Sequence, residues 1–365
     1  MADRTTFEPD WVSAPGETVE DLLEDKGWTK KEFASRVGLT QKHVGDLAKG
    51  RVPITADVAE RLSRTLGSSP EFWLTRDAQY QAALQARRAI EEAEADAGWL
   101  KELPVSWMKK RGWIGGVKGK GELVRECLRF FGVHSVEAWR KQYESPLVAF
   151  RASDKFERKV GSVAAWLRRA ELEATDMYCE PYDSKAFKEV LVDLRALTCE
   201  PDPAVFIAAL QRECAACGVA VVFVPEPKGC PANGATQWLS RDKAMLVLSL
   251  RYKSNDHLWF SFFHEAKHIL DHSKKMLFIE GMDGLSEELE EEANRFAADL
   301  LIPPEKAEEL YLLSKKRYLS KEDVRGFASE IGVAPGIVVG RMQNEGWLPW
   351  THMNGLKVRY EWDDN

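Results

Sequence analysis

No apolar run in these 365 residues is long enough to cross a bilayer. The longest, around AVVFV at 220–224, falls far short of the ~20 residues a spanning helix needs. Excess positive charge is also missing. Lys and Arg number 51 against 58 Asp and Glu, a net charge of −7, so a globally basic coat for nucleic acid is excluded and only a local patch is open. Cysteine is sparse, with six scattered residues that form no disulfide framework. The opening MADRTTFEPDW is acidic early and lacks the apolar centre of a secretory signal. No repeat of fixed period is present, and compositional bias is confined to the acidic run 287–292. The remainder is ordinary: 44% hydrophobic and 30% charged residues exclude wholesale disorder, and the length implies two or three domains. These features predict a reduced, cytoplasmic, multi-domain protein with no membrane partner.

Residues 1–16, with Pro9, Pro15 and Gly16, show no periodicity and read as an arm. Residues 17–75 hold four short helical patterns that open at Thr29, Thr40 and Thr55 and stop at Gly27, Gly38, Gly50 and Gly67. A polar, Ala-, Arg- and Glu-rich stretch at 76–102 reads as a connector helix. Residues 103–198 form a helical middle region in which Trp107, Trp113, Trp139 and Trp166 are expected to anchor a core. Its loop GGVKGKGE lacks the ending of a phosphate cradle. The pattern changes within 199–350: a helix at 203–218 leads to strands at VAVVFVPE, ATQWLS and AMLVLSL, and helices resume at 256. Residues 351–365 read as a C-terminal tail. The fold class is therefore multi-domain and mainly α, with an all-α N-terminal part, a helical middle and a C-terminal α+β part carrying a small sheet.

The strongest local signal is FFHEAKHIL, which holds His264-Glu265-Ala266-Lys267-His268. Residues four apart on a helix differ by ~40° in angle and ~6 Å along the axis, so both imidazoles leave one face. That spacing suits a shared tetrahedral zinc, with Glu265 beside the face to act on water. A third ligand is needed. The helix SEELEEEANRFAADLLIPP at 286–304 buries Leu289, Ala293, Phe296, Ala297, Leu300 and Leu301. Glu290 and Asn294 lie together on one edge of this stripe, where a carboxylate can complete the shell and Asn294 can orient a ligand. Glu292, further round the helix, is the second candidate.

H-E-x-x-H followed by Glu290-Glu291-Glu292-Ala293-Asn294-Arg295-Phe296-Ala297, then Leu300, Leu301 and Pro303, resembles the ImmA/IrrE family of zinc metallopeptidases. The resemblance spans roughly 200–350 and implies a zincin-like fold, with His264, His268 and Glu290 as zinc ligands and Glu265 as general base. The family commonly has glycine just before the second histidine. This chain has Lys267, expected to line or crowd the cleft and to bear on substrate preference, not on zinc binding.

In TKKEFASRVGLTQKHVGDLAKGR, Gly38 makes a turn between two helices, and Val44 and Leu47 bury the second. Thr40, Gln41, Lys42, His43, Asp46 and Lys49 are the candidate DNA-contacting residues. Residues 17–71 carry nine basic and ten acidic side chains, but 29–51 carry six and two, so positive charge gathers where a groove would lie. With Pro15-Gly16-Glu17 before it, and Phe72-Trp73-Leu74 and Tyr80 after it, this segment resembles XRE-type repressors of the HigA-like antitoxin branch. The resemblance implies a homodimer on a palindromic double-stranded operator.

Other residues weigh less. His272 faces the same side as His264 two turns on, and His257 reads as a cap or surface residue. GATQWL at 234–239 is either a sheet edge for an extended peptide or a plain core strand. His352 is either a surface histidine or an oxyanion donor. Cys214 and Cys217 are expected to be buried free thiols, and Cys230 carries only a remote prospect of reaching the metal. Two functions compete. One is a DNA-binding regulator that cleaves a partner protein, a repressor or toxin, with zinc-activated water. The other is an antitoxin-like repressor whose zinc domain senses or binds a partner without turnover, and a metal-dependent scaffold in phage defence shares the same features.

Overall fold

A computed structural model describes residues 13–145, 160–271, 278–279 and 287–362. The arm at 1–12, His272 and the final residues 363–365 lie outside them. The chain divides into two compact units, one of residues 1–97 and 118–125, the other of 98–117 and 126–365.

The first unit is helical: α1 (Pro15–Asp25), α2 (Lys30–Val37), α3 (Gln41–Ala48), α4 (Ala56–Leu66) and α5 (Pro70–Glu94). Threonine hydroxyls cap three of them, with Thr29, Thr40 and Thr55 accepting from the backbone N–H groups of Glu32, His43 and Val58. Apolar side chains at helical spacing, including Phe33, Val44, Leu47, Leu62 and Trp73, close one core. The first helix begins earlier than the sequence suggests. Pro15 takes the first helical position, and Glu17 reaches back to the backbone of Ala14 at 3.2 Å, so Ala14–Gly16 are buried in this unit. Gly16 sits where α1 meets α3: a Cβ there would lie 2.1 Å from Cα of Ala48. SPEFW and the polar connector stretch form one extended helix, α5, capped by Ser69, opened by Pro70 and ending at Glu94.

The second unit begins with short helices, including α6 (Val105–Lys110), α7 (Lys120–Phe131, shared between the units) and α8 (Val136–Trp139). Trp99, Phe131, Trp139 and Tyr143 form an aromatic cluster with centroid separations from 5.1 to 6.1 Å for Phe131–Tyr143 and Trp99–Phe131. Trp139 and Trp166 are buried as expected; Trp107 and Trp113 are only half-buried, Trp113 stacking flat on Phe130. Next come α9 (Val160–Asp176), α10 (Ser184–Leu194) and α11 (Pro203–Ala215). Helix α9 is built into the sheet region, its Trp166 Nε1 donating to the carbonyl of Val224 at 2.9 Å.

The sheet comprises β1 (Val219–Phe223), β2 (Gly234–Ser240), β3 (Lys243–Leu248) and β4 (Phe278–Ile279), in the order β1-β3-β2-β4. β1 runs parallel to β3, and β2 is antiparallel to both β3 and β4. The continuous apolar runs of β1 and β3 fit strands covered on both faces. GATQWL is therefore no free edge at its start, because β4 pairs Ala235 with Ile279 and Thr236 with Phe278. Helix α12 (Asn255–Asp271) follows β3, and then come α13 (Glu287–Leu301), α14 (Ala307–Ser314), α15 (Lys321–Ile331) and α16 (Pro335–Asn344). Residues 351–362 are not a loose tail. Val358 N–H donates to Asn255 Oδ1 at 3.1 Å, Tyr360 is buried against Phe206, and the buried Lys357 Nζ lies 2.5 Å from Asp256.

The tight α1–α3 contact gives a test. Gly16→Ala must push two helix backbones apart and should destabilise the first unit by about 1–3 kcal/mol. Gly45→Ala, in mid-α3 with open space around it, should be neutral or stabilising by up to ~1 kcal/mol. Thermal unfolding of both variants checks the contrast, and equal behaviour would count against the packing.

Candidate functional site

Helix α12 is buried along most of its length by Leu258, Trp259, Phe262, Phe263, Ala266 and Ile269, and this packing fixes where its polar residues point. His264 and His268, 1% and 2% exposed, bring their Nε2 atoms to 3.1 Å. Glu290 enters from α13, with Oε2 3.3 Å from His264 Nε2 and Oε1 3.5 Å from His268 Nε2. Two donors each about 2.0–2.1 Å from a tetrahedral zinc lie about 3.3 Å apart, so the three spacings suit one ion. The chemistry of the set agrees: two imidazoles and a carboxylate leave one tetrahedral position open. Among the described residues this is the one such cluster of three or more His, Cys, Asp or Glu groups.

Asn294, one turn beyond Glu290, places Oδ1 3.0 Å from His264 Nδ1. An amide oxygen only accepts, so Nδ1 carries the proton and Nε2 offers its lone pair to the cluster. Burial pushes the Glu290 carboxyl up, but when the imidazoles also carry a proton on Nε2, their hydrogen bonds and charge outweigh it and hold the group at about 2; an ion on the Nε2 atoms would take the place of those protons. Glu292, the second candidate, is turned to Lys267 Nζ at 3.0 Å. Lys267 does not crowd the cleft as the sequence suggested; it is held between Asp271 and Glu292.

Glu265 is fully buried. Its side chain lies against the first residue of β2, where a Cβ on Gly234 would come within 2.7 Å of Glu265 Cγ. In the sequence, Gly234 is marked only as a glycine opening a strand. A cleft of about 540 Å³ borders the site and shares Asn294 with it, lined also by Phe260, Arg295, Arg341 and Trp350. His257 lines this cleft and stacks on Tyr252 at 4.4 Å, so it is more than a surface residue. His352 is exposed, with Nδ1 3.2 Å from Thr351 Oγ1. Cys214, Cys217 and Cys230 are buried free thiols, and burial pushes the Cys214 thiol well above its ordinary value.

In the first unit, α2 and α3 meet across Gly38, whose left-handed backbone (φ 69°) makes the turn. Gln41, Lys42 and Lys49 are exposed. Thr40 is exposed too, but its hydroxyl is engaged by the His43 N–H at 3.1 Å. His43 and Asp46 do not face fully outward as expected. His43 stands one turn before buried Leu47, so its ring is half-buried, and half-buried Asp46 lies 3.8 Å from Arg51.

A helix-turn-helix unit and an α+β unit with a two-histidine, one-carboxylate cluster define a two-part protein. Family profiles match accordingly: the Helix-turn-helix family over residues 19–73 and the IrrE N-terminal-like domain, of the M78 peptidases, over 224–342. Antitoxin HigA-1 of Vibrio cholerae serotype O1 is 43% identical over 86 residues, 24% of this chain and 77% of that protein. The uncharacterized HTH-type transcriptional regulator YddM of Escherichia coli K12 is 29% identical over 91 residues, 24% of this chain and 88% of its own length. An addiction module antidote protein of the HigA family from Coxiella burnetii is similar among solved structures, at 27% identity and TM-score 0.21, covering 23% of this chain and 92% of that one. The chain belongs to the helix-turn-helix family of the HigA antitoxins through its N-terminal part, and its C-terminal part is an IrrE N-terminal-like domain.

The depressed Glu290 carboxyl fixes the sign of a pH effect. A carboxyl held at about 2 in the fold and near 4.5 when unfolded stabilises the fold above about 4.5, and that contribution is lost as pH falls toward 2. In chelator-treated protein, the urea midpoint of Glu290→Gln should lie below wild type at pH 6, and the gap should close between pH 4.5 and 2. A gap that widens on acidification would contradict the assignment.

Proposed function

We propose that this protein is a DNA-binding regulator whose C-terminal unit is a zinc metallo-endopeptidase acting on a specific protein partner in the cytoplasm. The carrying observation is the spacing of His264, His268 and Glu290, near 3.3 Å throughout, with buried Glu265 beside them. His264, His268 and Glu290 would hold a zinc ion, which would supply the Lewis acidity to acidify water and polarise a carbonyl. Glu265 takes the proton of the attacking water and passes it to the leaving amine. Asn294 holds the His264 tautomer that such binding requires. Burial of α12 keeps bulk water from the reacting groups.

A second reading is favoured by the similarity of residues in the first unit to an antitoxin: a repressor whose zinc domain binds a toxin or senses a signal without turnover. Both readings place a homodimer on a double-stranded operator through α3, with Gln41 and Lys42 toward base edges and Lys49 toward phosphate.

Cleavage separates these readings, while zinc content and DNA binding test what they share. Purified wild type should hold about one zinc per chain, and Glu290→Ala should lose it. Glu265→Gln should keep zinc and operator affinity while cleavage of the neighbouring gene's product falls by ~10²–10⁴. Cleavage at the wild-type rate would reject the mechanism, and intact repression with no cleavage by wild type would favour the second reading. On DNA, Gln41→Ala should cost about 1–3 kcal/mol at one base position, whereas Lys49→Ala should weaken binding to every sequence and flatten its salt dependence. Equal loss on operator and random duplex for Gln41→Ala would count against this placement of α3.

A further inference from the structure

Lys267 stands between the two histidine donors on α12, and its ammonium, shared with Asp271 of the same helix, also crosses to α13. It reaches Glu292 Oε1 at 3.0 Å and lies 5.6 Å from the centre of the Phe296 ring, with the side chain only 15% exposed. Glu292 and Phe296 are four residues apart and share one flank of α13. Glu290 and Asn294, also four apart, occupy the other flank and meet the imidazoles. Between the flanks runs the fully buried pair Ala293 and Ala297, small enough for the two helices to pack closely.

This arrangement separates two degrees of freedom. The alanine ridge sets how close α13 comes to α12, but it resists poorly a roll of α13 about its own axis. Roll is the motion that swings the Glu290 carboxylate toward or away from the two Nε2 atoms. A contact on the flank opposite Glu290 opposes that roll alongside the core packing of Leu300 and Leu301. Among the described residues, the ion pairs between α12 and α13 are those of the donor cluster and Lys267–Glu292. Only the last does not use the metal's own donors.

We propose that Lys267 is a positioning residue of the metal centre: paired with Glu292 and laid over Phe296, it fixes the roll of α13 and presents Glu290 to the imidazoles before a metal arrives. The inference rests on the zinc reading above and concerns how tightly the ion is held. Lys267 itself supplies no ligand.

The test is zinc affinity of the full chain, measured by competition with a chromogenic chelator. Lys267→Met keeps the aliphatic stem over Phe296 and removes the charge, while Glu292→Gln removes the partner from the exposed side. Each should weaken zinc by roughly 3–10-fold, below the ~10–100-fold typical of groups that touch a ligand directly, because Lys267 acts through the seating of α13. The double variant should be no weaker than either single one, because both break the same contact. Lys267→Arg should restore wild-type affinity, which a purely volumetric role for the stem would not require. Wild-type affinity in both single variants, or losses that add in the double, would overturn the clamp while leaving the metal centre standing. A wild type that binds no zinc would remove the metal centre and the clamp together.

Discussion

Everything in the second unit depends on keeping two imidazoles and a carboxylate within about 3.3 Å of each other inside an apolar environment. Such a cluster is costly to assemble, because buried polar groups must find partners or pay for lost hydration. The fold meets this cost with rigid elements. α12 is locked by aromatic packing, α13 lies against it along an alanine ridge, and Asn294 fixes the ring of His264. The sheet contributes through an absence: Gly234 leaves room for Glu265 to lie against β2.

The first unit solves a different problem. A DNA reader must expose polar residues along α3 while a few apolar ones hold it in place. Val44 and Leu47 do the holding, and the contact of Gly16 with Ala48 brings α1 tight behind the helix. The price is that His43 and Asp46 are drawn partly inward, leaving Gln41, Lys42 and Lys49 with free reach.

Much of this was legible because it rests on local rules. Threonine caps, glycine stops and apolar spacing marked α2, α3 and α4 almost to the residue, and the i, i+4 histidines with Glu290 and Asn294 one turn apart named the cluster. What escaped depends on contacts distant in sequence. Nothing in WTHMNGLKVRY says that Lys357 will neutralise Asp256, a hundred residues earlier. Strand β4 is two residues long and pairs with a strand some forty residues away, too little for any periodicity to register. The direction of Lys267 was missed for the same reason: its partner sits on another helix.

The pairing of Lys357 with Asp256 carries a consequence for synthesis. Asp256 lies near the start of the helix that carries His264 and His268, and its buried carboxylate has its cationic partner only in the last few residues described. While the ribosome is still making the intervening hundred residues, at about 5–20 per second, that helix carries a charge it cannot comfortably bury. The apolar cluster of the first unit, by contrast, runs from Val19 to Trp73 and can close long before. The apolar cluster of the N-terminal helices is therefore complete in sequence while the helix of His264 and His268 still waits for the stretch of chain that neutralises Asp256.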